Sequence, residues 1–176
     1  MPTVLAESAS VEKRNHSALT SNTAHPGGKF LTFFLAGEEY GIAILMVHEI
    51  IGMMAITSVP RTPVFIRGVI NLRGKVIPVV DLRLKFGLPE VEHTEQTCII
   101  VVNVGKEIGV IVDTVSEVLD ISSDRIEPPP SVGHTDGTSI ILGMGKVGDA
   151  VKILLDIDKV LTVEGLPDVA AQGDGT

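Results

Sequence analysis

The chain has 176 residues, 44% of them hydrophobic, enough for one ordinary domain or two very small packed units and too few for a long multidomain enzyme. A formal net charge of -8, five Phe, one Tyr and no Trp disfavour nucleic acid, which needs basic surface and stacking platforms. One cysteine excludes a disulfide framework within the chain, and no stretch approaches the roughly 20 apolar residues of a membrane helix or resembles a signal peptide, so the cytosol is the expected compartment.

Residues 1–28 are polar and small without an apolar period, and are expected to form a disordered tail. From there the chain reads as short aliphatic runs broken by glycine-containing turns, the pattern of hairpins. Phe30–Ala36 turns at Gly37-Glu38 into Tyr40–Ile44. In Val47-His48-Glu49-Ile50-Ile51, alternation places Val47 and Glu49 on one face and His48 and Ile50 on the other, with Glu49 expected on the wet side. A brief helix is expected over Pro63–Arg67. Val69–Leu72 turns at Arg73-Gly74 into Val76–Val80, after which Asp81 caps a short helix, Leu82–Phe86, closed by Gly87 and Pro89. Cys98–Val104 turns at Gly105-Lys106 into Ile108–Val112, and Cys98 in that apolar run suits a buried structural thiol. Ile140–Val147 turns at Gly148-Asp149 into Val151–Leu155, Asp156 caps Ile157–Leu161, and Leu166–Thr176 is expected to fray.

Sliding the chain past itself at a single offset brings Gly37 onto Gly105, Gly41 onto Gly109, Val47 onto Val115, Glu49 onto Glu117 and Pro60 onto Pro128. Beyond the prolines the offset grows, with Asp81 falling on Asp156, as if the second copy carried seven extra residues near Pro129, Pro130 and Gly133–Thr138. Two similar β units, approximately 30–92 and 98–164, packed as one domain, fit this duplication.

A catalytic inventory is nearly empty. His16, His25, His48, His93 and His134 lack zinc-ligand spacing, Gly143-Met144-Gly145 lacks the Lys-Ser or Lys-Thr and helix of a phosphate loop, and no serine sits in a nucleophile elbow. Glu38-Glu39 falls in a turn, where solvation is the ordinary explanation. A chain of this kind is most economically a binding module. The second reading is a small β-barrel ligand-binding or enzyme domain with its site between the two units.

Thr62–Gly74 (TPVFIRGVINLRG) stands out because the second copy has nothing comparable. Asn71 and Gly74 suit the first and last positions of a type I turn. Arg73 is left over, a planar five-donor fork at a hairpin tip that is equally a solvated turn residue or a contact. Glu49 and its counterpart Glu117 are also consistent with a charged edge repeated in both copies.

Together with FFLAGEEYGIAI (Phe33–Ile44), VHEI (Val47–Ile50), VVDLRL (Val79–Leu84) and GVIVDTVSEV (Gly109–Val118), this block resembles the CheW family of bacterial chemotaxis coupling proteins over residues 29–165. The resemblance implies an all-β fold with a few short helices, in which two pseudo-symmetric five-stranded SH3-like barrels pack as one domain. It implies a non-enzymatic adaptor in the cytoplasm, recruited to membrane receptor arrays, without cofactor, metal or membrane insertion. The partners it implies are the regulatory domain of a CheA-type histidine kinase and the cytoplasmic tip of methyl-accepting chemoreceptors. The family's receptor-contact glutamate and arginine fall on Glu49 and Arg73, with Val47 and Gly68 beside them as contact or supporting positions. With Asn71 and Gly74 these residues form the candidate interaction set.

Overall fold

In the computed structural model, which describes residues 26–129 and 140–162, the aliphatic runs become eleven strands in two sheets. β1 (Gly27–Leu35), β2 (Glu38–Ala43), β3 (Val47–Gly52), β4 (Ile66–Leu72), β5 (Lys75–Asp81), β6 (Cys98–Asn103) and β7 (Glu107–Val112) come first. β8 (Thr114–Ser122), the two-residue β9 (Ile126–Glu127), β10 (Ile141–Val147) and β11 (Ala150–Leu155) follow. The α-helices among the described residues are single turns, α1 (Leu82–Lys85) and α2 (Ile157–Val160), each started by the expected aspartate. Asp81 accepts from the Arg83 and Leu84 amides, and Asp156 from that of Lys159.

One sheet runs β8-β1-β2-β11-β10-β9 and the other β3-β6-β7-β5-β4. The expected all-β architecture is therefore present, but the repeats seen in the sequence are not the units seen in space. The second sheet takes β3, β4 and β5 from the first copy and β6 and β7 from the second, and the first sheet takes the complementary strands. The exchange is sealed by two parallel pairings, Gly41 with Leu154 and Gly109 with Val79, which the two offsets of the duplication turn into one another. Self-similarity reports the order of elements along the chain; it carries no information about which copy supplies a strand's neighbour.

Burial follows the same plan. The largest apolar cluster lies between the sheets, with Leu31, Phe33, Leu35 and Ile42 of one sheet against Ile100, Val102, Val110 and Val112 of the other. A second cluster, including Ile70, Ile77, Ile99 and Val101, fills the inside of the β3–β7 sheet. A third, with Phe30, Ile121, Ile126 and Leu154, fills the other. Successive residues of β6 thus point into two different cores, which is why Cys98–Val102 reads as an unbroken apolar run rather than an alternating one.

Several boundaries differ from the sequence expectation, each for a local reason. Gly27 and Gly28, assigned above to the tail, pair with Ser122 and Ile121 of β8 at φ of 93° and 145° and so belong to β1; the remaining tail expectations lie outside the described residues. The first hairpin turns at Ala36-Gly37 rather than Gly37-Glu38, because its two central residues are both left-handed (φ 53° and 84°). The β6–β7 connection is a three-residue loop, Val104–Lys106, shaped by the Gly105 amide donating to the Asn103 side chain at 3.0 Å. Pro63–Arg67 is not a helix. The Ile66 amide closes a turn onto Pro63 O at 3.0 Å, while the Asp81 amide donates to Phe65 O at 2.8 Å and draws the chain into β4.

The sheets are also stapled by a polar clamp. Arg83 on α1 donates from Nε and Nη2 to the two oxygens of Asp113, at the β7–β8 junction, at 2.8 and 2.7 Å. Asp113 Oδ2 accepts from the Ala36 amide as well, at 2.9 Å. The Arg83 guanidinium, outweighing partial burial, holds the Asp113 carboxyl below its ordinary range. A carboxyl lowered by folding contributes stability above its unfolded pKa of about 3.9, and that stability is lost as pH falls through the folded value. Arg83→Met should therefore cost about 2–3 kcal/mol in urea unfolding at neutral pH and clearly less near pH 3. An equal cost at both pH values would show that the guanidinium acts through packing alone.

Candidate functional site

A connected group of polar side chains gathers at one end of the β3–β7 sheet, where three pieces meet. β3 is an edge strand whose ladder with β6 is interrupted at His48, since Val47 pairs with Val102 and Glu49 with Val101. The extra residue bends the strand and re-aims its side chains. β4 and β5 are joined by a tight two-residue turn at Arg73-Gly74, and β7 begins at Glu107 directly after its loop. Parallel alignment of β5 with β7 brings that turn and that loop to the same end.

Arg73 and Gly74 have φ of 53° and 85°, so Asn-Leu-Arg-Gly is not a type I turn from Asn71 to Gly74; the left-handed pair Arg73-Gly74 forms the tip, flanked by paired Leu72 and Lys75. Asn71 Oδ1 accepts from the Gly74 amide at 2.8 Å and fixes the tip's orientation. Arg73 consequently leans across to β3, where its Nη2 donates to Glu49 Oε1. Glu49 is not on the wet side: it is 23% exposed, whereas His48 beside it is turned outward. Arg73 itself remains 67% exposed.

The pair continues into a ribbon of alternating charge. His48 Nε2 lies 3.8 Å from Glu49 Oε1 and 3.2 Å from Glu107 Oε2, and Lys75 Nζ donates to Glu107 Oε1 at 2.8 Å. The Lys75 hydrogen bond is the main reason that the Glu107 carboxyl lies below its ordinary range, with partial burial opposing and the charges of Lys75, His48 and Arg73 assisting. Glu107 is 13% exposed and Lys75 66%, so both carboxylates sit low and both long cations stand above them. No charged residue comes from β6, which lies between β3 and β7.

Of the six candidate residues, Glu49 and Arg73 are brought into contact. Asn71 and Gly74 shape the tip. Val47 packs against the central core, and Gly68 is buried on β4 against Thr57. Sequence reasoning missed His48, Lys75 and Glu107; only the correspondence of Glu107 with Glu39, at the offset that puts Gly105 on Gly37, hinted at a repeated position.

Glu39 also differs from expectation. It lies in β2 rather than in a turn and pairs with Lys152 of β11, with side chains 13% and 10% exposed. Burial pushes the Glu39 carboxyl upward, but Lys152, assisted by Thr32 and Ser116, brings it below its ordinary range. This pair is an internal neutralisation, not a solvated acidic turn.

The space between the sheets is filled by the largest apolar cluster, so the convergent polar groups that a ligand site there would need are not present among the described residues. Two open cavities of about 410 and 390 Å³ lie elsewhere, both lined in part by Arg67. Among the described residues, no helix is long and apolar enough to cross a membrane.

Comparison with known proteins agrees with this architecture. Residues 29–165 match the CheW-like domain family. The chemotaxis protein CheW of Klebsiella aerogenes is 45% identical over 139 residues, 78% of this chain and 84% of that protein. Protein FrzA of Myxococcus xanthus is 31% identical over 140 residues, 78% of this chain and 88% of that protein. The crystal structure of the scaffolding protein TtCheW from Thermoanaerobacter tengcongensis superposes with a TM-score of 0.72 at 41% identity, covering 79% of this chain and 95% of that one.

Proposed function

The chain belongs to the CheW family, and from that premise we propose that it couples the cytoplasmic tip of methyl-accepting chemoreceptors to the regulatory domain of a CheA-type histidine kinase. A member of this family is a non-enzymatic scaffold of chemotaxis signalling, and its work is to hold partners at fixed positions. One domain over 29–165, with Val47, Glu49, Gly68, Asn71, Arg73 and Gly74 as its partner-facing set, is the corresponding assignment. The protein then acts in the cytoplasm, at receptor arrays.

The observation that carries this proposal is the Glu49–Arg73 pair, which ties an edge strand to a hairpin tip at an exposed end of one sheet. An exposed arginine held in place by a carboxylate keeps donors free for a partner while losing less side-chain entropy on binding than an untethered one. In co-sedimentation with receptor-bearing membranes, a CheA-type kinase should pellet in the presence of the chain and remain largely in solution without it. A kinase that pellets equally in both cases, or a chain that stays in solution, would overturn the assignment.

A further inference from the structure

We propose that Lys75 and Glu107, with His48 at their edge, belong to the contact site and extend the Glu49–Arg73 pair into a rim of outward-standing cations that takes a carboxylate-bearing partner face. The inference rests on the contact assignment above and names the partner chemistry of the same site.

The fold supplies an internal control. At the pseudo-equivalent end of the other sheet, Glu39 stands where Glu107 stands and Glu117 where Glu49 stands, at the offset that puts Gly37 on Gly105. Yet Ser116 replaces His48, Gly148 replaces Arg73 and Ala150 replaces Lys75, the last two at the larger offset that puts Asp81 on Asp156. That end forms the same hairpins, and its carboxylate is neutralised from within by the nearly buried Lys152. The architecture therefore does not need outward cations at this position. Where they occur, both stand mostly in solvent and each is anchored at its base by a carboxylate. On a chain of net charge -8 such a cationic rim is a local exception, and it complements an acidic surface.

His48 completes the cluster from the edge strand. Its Nε2 lies between the carboxylates of Glu49 on its own strand and Glu107 on β7, and the charged groups of the β4–β5 hairpin beside them are Arg73 and Lys75. Each carboxylate is thus held from two sides, which fixes the bases from which the two cations rise.

The test uses the full chain and a purified cytoplasmic signalling fragment of a chemoreceptor, at constant pH, at low and at high ionic strength. The wild type should bind about five- to tenfold more tightly at low salt. Lys75→Met should weaken binding by about threefold or more at low salt and reduce the salt ratio, with circular dichroism unchanged. A Lys75→Met protein that binds as the wild type does, or a wild type insensitive to salt, overturns the extension. Arg73→Glu in the same assay separates the two levels: if it binds as the wild type does, the contact assignment itself fails. If it loses binding while Lys75→Met binds as the wild type does, only the extension fails.

Discussion

Arg73→Glu should keep the native circular dichroism and melting curve while losing about 2–4 kcal/mol of receptor-tip binding, roughly a thirtyfold to thousandfold rise in Kd. Folding is spared because Arg73, the partner that is changed, is 67% exposed, and a pair with one member so solvated contributes no more than about 1 kcal/mol even though Glu49 is only 23% exposed. Glutamate also accepts the left-handed backbone (φ 53°) about as well as arginine does. Binding suffers twice, since the bidentate fork is lost and a second carboxylate is placed beside Glu49. The exchanged double variant, Glu49→Arg with Arg73→Glu, refines the outcome. It rebuilds an internal pair with reversed polarity, so recovered binding would mean that the pair acts by bracing the hairpin against β3. Persistent loss means that Arg73 touches the partner. Wild-type binding by the single variant would remove Arg73 from the site and leave the fold and family untouched.

Gly68→Ala should be the most damaging single substitution at a candidate position, although nothing is added but a methyl group. A β-carbon on Gly68 would lie 2.0 Å from Thr57 O and 2.7 Å from Thr57 C, both backbone atoms, and the residue has a φ of 141°. Thr57 cannot move aside freely, because its amide and carbonyl are bonded to those of Val69 at 2.9 and 2.8 Å. Backbone strain, overpacking and the broken bridge together should cost about 4 kcal/mol, a drop of about 10 °C or more in Tm. Any loss of receptor or kinase binding should follow the folded fraction and disappear when measured well below the transition. A Tm within a couple of degrees of wild type would show that the 53–65 segment yields to the methyl group. Gly68 is thus a supporting residue: its lack of a side chain lets the segment before β4 lie against the strand that carries Asn71 and the Arg73 tip.

These two positions show different degrees of legibility. The turn at Arg73-Gly74 is readable because hairpin chemistry is local, but its type is not. Asn71 and Gly74 suit a type I turn by composition, and only the twist of the paired strands selects the left-handed form. Gly68 is singled out through resemblance alone, since its partner Thr57 lies in an irregular segment with no period to read. Glu49 falls on the wet side in the sequence reading because a glutamate on a half-buried strand usually does. Alternation along β3 holds, with Val47 and Glu49 less exposed than His48 and Ile50, but Arg73 arriving from another hairpin covers the face that carries Glu49.

The amino-acid sequence by itself determined the hairpins Phe30–Ile44, Val69–Val80, Cys98–Val112 and Ile140–Leu155 to within three residues, both helix caps, the duplication, and the family through its FIRGVINLRG block. All of these depend on interactions among residues a few positions apart, or on patterns repeated along the chain. Tertiary structure alone decided that the two copies exchange strands, that Lys152 reaches Glu39 across the β2–β11 seam, and that Glu49, His48, Arg73, Lys75 and Glu107 meet at one end. Those outcomes depend on pairing segments tens of residues apart, chosen by which arrangement buries both faces of β6 and β7 at once. A buried ion pair or a charge ribbon arises only where that choice has brought its members together.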